Sequence, residues 1–275
     1  MIKKDLRYWL IMKRLEDHYN EALQYFPEDR IVGLFLQGSQ NYELDYEGSD
    51  VDTKLIVVPK LKDICLNKKP ITTTHVRANN EHTDWKDIRL YMDTFRSQNL
   101  NFLEILFTDF YIINPLYEKQ WNRLVLEREG IARMNPHRAV KSMLGIAKEK
   151  YHAMEHRYPS KADIIDKYGY DGKQVSHLLR VSDYLQRYIA RKDSYKECLI
   201  PSENIRERIM SYKRLNEISL HEAQVEANAI LNITEKIAHD FLEATPQGEN
   251  ERCKALLDDV CYNIMKIAIQ EELKE

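Results

Sequence analysis

The sequence predicts an α+β protein in which a mixed α/β part precedes an all-helical part. Short β-type apolar runs occur in the first part, with strands expected at 31–36, 53–58 and 71–83. After Pro136 the strand pattern ends and apolar residues recur with helical spacing. We therefore expect a domain boundary within 115–136, and we divide the chain into domains 1–125 and 126–275.

The composition is that of a globular protein. Of 275 residues, 43% are hydrophobic and 31% are charged, which excludes collagen-like, low-complexity and fibrous classes. The chain lacks the run of about 20 apolar residues that a membrane-spanning helix needs. Its four cysteines form no CxxC pair, which favours free thiols in a reducing cytoplasm over a zinc site. We expect a cytoplasmic protein with no membrane partner; the cysteines are Cys65, Cys198, Cys253 and Cys261.

Each element of the first part has its own signal. Apolar residues at helical spacing predict a helix over 5–26, which Pro27 ends. The strand at 31–36 stops at Gln37-Gly38-Ser39, and the strand at 53–58 is closed by Pro59. From Trp85 the spacing becomes helical, with another helix over 102–107. Helices expected in the second part are 138–157, 173–191, 202–214, 219–243 and 250–272.

Two aspartates open the second strand. Residues two apart on a strand point to the same face, so Asp50 and Asp52 are expected to bring two carboxylates together. Two like charges at such a short distance repel each other, and a divalent cation such as Mg²⁺ removes this repulsion by binding both carboxylates. Gly38 lets a phosphate approach the backbone, and a helix after Ser39 would offer it free N–H groups and a hydroxyl. Metal on one side and an anion cradle on the other suit nucleotidyl transfer.

This combination resembles the signature of the DNA polymerase β-like nucleotidyltransferase superfamily: an apolar strand, Gly-Ser, a short helix, then Asp-x-Asp opening the next strand. Further stretches are similar to a branch of predicted bacterial and phage nucleotidyltransferases, namely 84–89, 98–107 and 170–180. The resemblance implies a mixed sheet flanked by helices, with Asp50 and Asp52 binding two catalytic Mg²⁺ ions. It also implies that Gly38 and Ser39 hold the triphosphate of an NTP such as ATP.

The superfamily also uses a third carboxylate, which binds the catalytic metal and helps to deprotonate the attacking hydroxyl. We expect Asp84 in this role, because it would end the third strand just before the helical pattern. Glu81 and Asp87 are alternatives. Asp84 could instead be a helix N-cap, with Asp87 in the first turn.

A basic stripe occurs in the helical part, where Lys173, His177 and Arg180 have the spacing of one helix face. Such a stripe could clamp the phosphates of a nucleotide. A solvated face or a structural histidine is the alternative. Arg89 is a weaker candidate of the same kind. Residues 138–157 carry five basic and two acidic residues, which favours a solvated helix over a nucleic-acid surface.

The leading functional hypothesis is an Mg²⁺-dependent transfer of a nucleoside monophosphate from an NTP to an acceptor hydroxyl. The acceptor could be a nucleic acid, a protein or a small molecule. A non-catalytic module that binds nucleotide or RNA is the alternative. A metal-dependent phosphohydrolase ranks third, because no histidine lies between Gly38 and Asp52.

Overall fold

The computed structural model describes residues 2–46, 48–214 and 218–274, and the side chains from Leu6 onward in these ranges. The fold is α+β, with a mixed sheet in the first part and helices in the second. The chain divides into two compact units. The first unit contains the residues up to Met134 together with those from Glu249, and the second is Asn135–Gly248.

The described strands form one five-stranded sheet in the order β3-β4-β2-β1-β5. Strands β2 and β4 are parallel, and the other neighbouring pairs are antiparallel. The strands are β1 (Ile31–Gln37), β2 (Asp52–Val57), β3 (Thr72–Val76), β4 (His82–Asp87) and β5 (Tyr111–Ile113).

Helices make up most of the remainder. Their bounds are α1 (Ile2–Ala22), α2 (Leu61–Cys65), α3 (Ile88–Arg96), α4 (Leu100–Leu103), α5 (Pro115–Leu126), α6 (Arg128–Ala132), α7 (Pro136–Ala153), α8 (Ala162–Tyr168), α9 (Gly172–Ala190), α10 (Tyr195–Leu199), α11 (Glu203–Lys213), α12 (Leu220–Ala244) and α13 (Glu251–Glu272). In the part of the chain that the structure describes, no helix is long and apolar enough to cross a membrane.

The sheet has a different cover on each face. Helix α1 packs on one face, where its buried Ile11 and Leu15 join side chains of β1 and β2 in a single core. On the other face, Phe35 of β1 packs against Trp121 of α5, with 4.6 Å between ring centroids. Since side chains on a strand alternate between the two faces, each strand of the sheet contributes to both layers.

The third predicted strand is in fact a hairpin of β3 and β4. We expected one strand over 71–83 and a helix from Trp85. Trp85 instead lies within β4, and α3 begins at Ile88. The residues of β4 are alternately buried, as in a strand, and the Trp85 side chain packs in the core between the sheet and α1. Strand β5 and helices α2, α5, α6, α8 and α10 had no prediction.

The C-terminal helix α13 belongs to the first compact unit, although its place in the helical part of the sequence predicted that it lies in the helical domain. Arg30, almost fully buried, donates to the Glu272 carboxylate at 2.9 Å, and the Leu61 N–H donates to the same carboxylate at 2.8 Å. Arg123 of α5 pairs with Asp259 at 2.7 Å. Periodicity identifies α13 as a helix, but it does not say which core its apolar face joins.

The second unit is built around α9. Helices α7, α11 and α12 pack against it, and its apolar face is buried along most of its length. A buried hydrogen bond joins Ser182 to Thr234 of α12, with 2.7 Å between the hydroxyl oxygens. The structure thus confirms that the second part of the chain is mostly helical.

Candidate active site

The strand register brings the Gly-Ser turn and the Asp-x-Asp pair to the same end of the sheet. Gln37, the last residue of β1, pairs with Asp52, the first residue of β2. Gly38 and Ser39 continue from β1 at this end, and Asp50 precedes β2 there. The pairing of Gln37 with Asp52 therefore brings together two motifs that are separate in the sequence.

The turn after β1 is tight and depends on glycine. Gly38 has φ 85° and ψ −152°, a backbone conformation that residues with a side chain rarely adopt. The short helix expected after Ser39 is a single 3₁₀ turn, Ser39–Tyr42. Any contact of a phosphate here would come from the turn's own N–H groups and the half-buried Ser39 hydroxyl.

Hydrogen bonds of several side chains hold this turn in place. The Asn41 amide donates to the Leu36 carbonyl at 2.9 Å, and the Thr108 hydroxyl donates to the Asn41 side-chain oxygen at 2.7 Å. The Tyr42 hydroxyl donates to the buried Glu104 carboxylate. Arg7 of α1 donates to the Gln40 carbonyl at 2.9 Å. A turn anchored this way is rigid, as a phosphate cradle needs to be.

Asp50 and Asp52 differ in their surroundings. Asp50 is exposed, and its carboxylate makes no hydrogen bond or ion pair within the described ranges. Asp52 is 34% exposed, and its Oδ1 accepts from the His82 backbone N–H at 2.9 Å. The His82 ring Nδ1 lies 3.4 Å from the same oxygen. Both carboxylates can therefore be reached by a solvated ion.

Glu81 lies beneath the Asp-x-Asp segment, on the face of the sheet that α1 covers. It is 2% exposed, and its Oε1 accepts from the Val51 N–H at 2.9 Å, between the two aspartates. Its Oε2 lies 3.0 Å from His18 Nε2, and Arg14 forms an ion pair with the same carboxylate. Glu81 thus supports the backbone of the site and does not face it.

Hydrogen bonding decides the charge of this carboxylate. Burial alone raises the pKa of Glu81, but hydrogen bonds from His18, Arg14, the Val51 N–H and Asn79 outweigh burial and lower that pKa to about 2. Burial also lowers the pKa of His18. A neutral His18 donates from Nε2 to Glu81 and accepts at Nδ1 from the hydroxyl of Thr53 or Thr83.

Asp87 is a helix cap. Its Oδ1 accepts from the Arg89 N–H at 2.9 Å, and the Arg89 guanidinium donates to both of its carboxylate oxygens. Asp87 is also buried, and Arg89 already engages both of its carboxylate oxygens. The cap that the sequence suggested for Asp84 is thus supplied by Asp87.

Asp84 is the candidate third carboxylate that shares a face with Asp52. It lies within β4 and pairs with Lys54, which is two residues after Asp52 on β2. Paired residues of adjacent strands, and residues two apart on one strand, project on the same side. Asp84 is 31% exposed, and its Oδ1 accepts from the Thr74 hydroxyl at 2.7 Å.

The buried side chain of Lys54 lies beside Asp84. It is 3% exposed, and its Nζ lies 3.5 Å from Asp84 Oδ2 and 4.5 Å from the centroid of the Phe102 ring. Nζ also donates to the Gln37 side-chain oxygen. Burial lowers the pKa of Lys54 to about 8, although the attraction of Asp84 and Asp52 opposes the change. Lys54 therefore remains an ammonium at neutral pH.

The carboxylates of the site differ in whether a cation of the chain already faces them. Asp50 and Asp52 offer the carboxylate oxygens that Mg²⁺ prefers. The Asp84 carboxylate, in contrast, already faces the Lys54 ammonium. Within 2–46, 48–214 and 218–274, no group of three His, Cys, Asp or Glu side chains is arranged to hold a metal ion.

The predicted cationic stripe lies in the second unit. Lys173 is exposed, His177 is half-buried and Arg180 is buried. Burial and the neighbouring cations Arg180 and Lys173 hold the pKa of His177 well below its ordinary value. His177 is therefore neutral at neutral pH, and the three residues do not form a uniformly charged, solvated face.

Three residues that support the site, Lys54, Gln37 and His18, had no predicted role. Lys54 carried a signal, since it is an isolated charge inside the apolar run of β2. Glu81 was an alternative for the third carboxylate, and its supporting role was not predicted because its bond to the Val51 N–H depends on a pairing of distant segments. Gln37 and His18 carried no pattern of their own.

No protein-family model matches this chain, and no curated protein sequence matches it.

Proposed function

We propose that this chain is an Mg²⁺-dependent nucleotidyltransferase that transfers a nucleoside monophosphate from an NTP to an acceptor hydroxyl and releases pyrophosphate. The observation that carries the proposal is the register of β1 and β2, which joins the Gly38 turn to Asp52. The pairing of β2 with β4 supports it by placing Asp84 on the face that bears Asp52. A nucleotidyltransferase-type fold in the first unit is part of this proposal.

Each group has a task in the proposed reaction. Backbone N–H groups of the turn and the Ser39 hydroxyl bind the triphosphate. Asp50 and Asp52 hold Mg²⁺, which supplies Lewis-acid stabilisation of the charge that develops on the phosphate oxygens. Asp84 accepts the proton of the acceptor hydroxyl. The resemblance to the superfamily implies two ions and gives Asp84 a share in binding one of them.

The helical unit contributes a second set of candidates. We propose that Lys173, His177 and Arg180 bind nucleotide as residues of the helical unit, as the resemblance implies. Lys173 and Arg180 would do so as cations, and the neutral His177 would do so as a hydrogen-bonding ring. The acceptor stays open among nucleic acid, protein and small molecule.

One experiment tests the reaction class directly. The full chain is incubated with Mg²⁺ and each of the four NTPs labelled at the α-phosphate, with acceptors of all three kinds. We expect label on an acceptor and an equal amount of pyrophosphate. Release of labelled monophosphate without an acceptor would contradict transfer and indicate a hydrolase.

A non-catalytic nucleotide-binding module is the second candidate. It is favoured by the engagement of Asp84 with Lys54, because a site that lacks a third free carboxylate can bind a nucleotide without reacting it. Binding of an NTP with no label transferred to any acceptor would support this candidate.

A further inference from the structure

The Lys54 ammonium lies beside Asp84, at the position where a metal ion bound by that carboxylate would lie. Its Nζ is 3.5 Å from Asp84 Oδ2, and the strand register keeps the two residues directly opposite each other. Lys54 is only 3% exposed, so water solvates its ammonium poorly. Its surroundings therefore decide which charges can be tolerated beside it.

The groups that face Lys54 come from four elements. They are Gln37 of β1, Asp84 and Lys86 of β4 and the Phe102 ring of α4, together with Asp52 on Lys54's own strand. The carboxylates and the amide oxygen favour a cation at this position. Lys86 Nζ, 4.8 Å from the same ring, adds positive charge. A dication placed beside Asp84 would be repelled by the buried Lys54 ammonium, whose charge water screens poorly, and more weakly by the half-buried Lys86.

We propose that the Lys54 ammonium takes the place of a second divalent cation beside Asp84, so that this chain binds a single divalent cation, at Asp50 and Asp52. The inference rests on the proposed function for the ion at those two aspartates. In this arrangement Lys54 is a positioning residue. It holds the Asp84 carboxylate on the site face and supplies positive charge that does not depend on metal concentration.

The test counts bound Mn²⁺, used alone as a probe for Mg²⁺, by the electron paramagnetic resonance of the free ion in titrations of the full chain. We expect one ion per wild-type chain and two for Lys54→Met, which removes the charge and is one atom shorter, so that it leaves room beside Asp84. Lys86→Met is the matched control, because it removes a neighbouring ammonium that also lies over Phe102. We expect one ion for that control.

A second variant keeps the test valid if Lys54→Met does not fold. Asp84→Asn is expected to leave the count at one, because the ion is held by Asp50 and Asp52. Two ions in the wild type, or loss of the bound ion in Asp84→Asn, would overturn the inference and leave the proposed reaction standing. Absence of Mn²⁺ from the wild type would overturn the proposed metal site and this inference with it.

Discussion

Single residues decide whether the turn after β1 can hold a phosphate. Gly38 has space around it, since an added Cβ would meet no atom within 4 Å, but its φ of +85° strains any other residue. We expect Gly38→Ala to lower the free energy of unfolding by about 1–3 kcal/mol through backbone strain. We also expect Gly38→Ala to weaken NTP binding, because relief of that strain would move the N–H groups of the turn.

The measurement pairs urea denaturation with calorimetric titration of an NTP. Gly145→Ala is the matched control, because Gly145 is exposed in α7 and an added Cβ there also meets nothing within 4 Å. An alanine in a helix interior stabilises by up to about 1 kcal/mol relative to glycine. Equal effects of the two substitutions would contradict the role given to the Gly38 backbone.

Glu81 makes stability depend on acid pH. Its pKa in the folded chain, about 2, lies below the value of 4.5 for an unperturbed glutamate. The unfolded chain therefore binds the extra proton between these values, and stability rises with pH across that window. The stabilisation is complete above pH 4.5 and is lost as the pH falls toward 2.

We expect Glu81→Gln to remove this dependence and to cost about 3 kcal/mol near neutral pH, since one pKa unit corresponds to ~1.4 kcal/mol. The check is chemical denaturation of both proteins over the acid range. Glu118→Gln, at an exposed position of α5, controls for the loss of a carboxylate. If the free energy of unfolding of wild type and of Glu81→Gln depended on pH in the same way, the hydrogen bonds around Glu81 would not be what keeps its carboxylate charged.

At this scale the sequence shows residue types better than roles. Asp50, Asp52 and Gly38 can be found from local spacing, because strand alternation and glycine turns are local properties. Glu81, Asp84 and Asp87 are three nearby carboxylates that the sequence could not sort. Their roles depend on the face of the sheet on which each one lies, and that face is fixed by the pairing of β4 with β2 and by the packing of α1.

At the scale of elements, the amphipathic pattern of α13 identifies a helix but not its neighbours. Leu257 and Val260 are fully buried in the first unit, where α13 packs against α3 and α5. We expect Leu257→Ala to destabilise this unit by about 2–5 kcal/mol through lost burial and a residual cavity.

Hydrogen exchange locates the effect. Amides of β1 and β2 should lose protection in Leu257→Ala, and those of α9 should keep theirs if the second unit has its own core. Tyr262→Ala, at an exposed position of the same helix, is the control. Loss of protection confined to α9 and its neighbours would contradict the assignment of α13 to the first unit.

The hairpin of β3 and β4 shows where element prediction fails for a physical reason. The run from Trp85 has apolar residues at helical spacing, yet β4 continues to Asp87. Pairing with β2 on one side and β3 on the other overrides the local preference. Strand β5 has three residues and pairs at one edge of the sheet with β1, so it is too short to show a period.

At the scale of the whole molecule, the account combines an α+β unit that carries the carboxylates with a helical unit that carries Lys173, His177 and Arg180. The change from mixed to helical pattern is visible in the sequence because it reflects periodicity over many residues. The return of the chain to the first unit through α13 is not visible, because it depends on long-range packing.

The most direct measurement of the central claim is pyrophosphate release by the full chain with Mg²⁺, an NTP and an accepting hydroxyl, in wild type, Asp50→Asn and Asp52→Asn. Asp63→Asn, which changes an aspartate of α2 paired with Lys68, is the control. We expect both site variants to keep the circular dichroism of the wild type and to lose turnover, with the control unchanged. Turnover at the wild-type rate in both site variants would contradict the account.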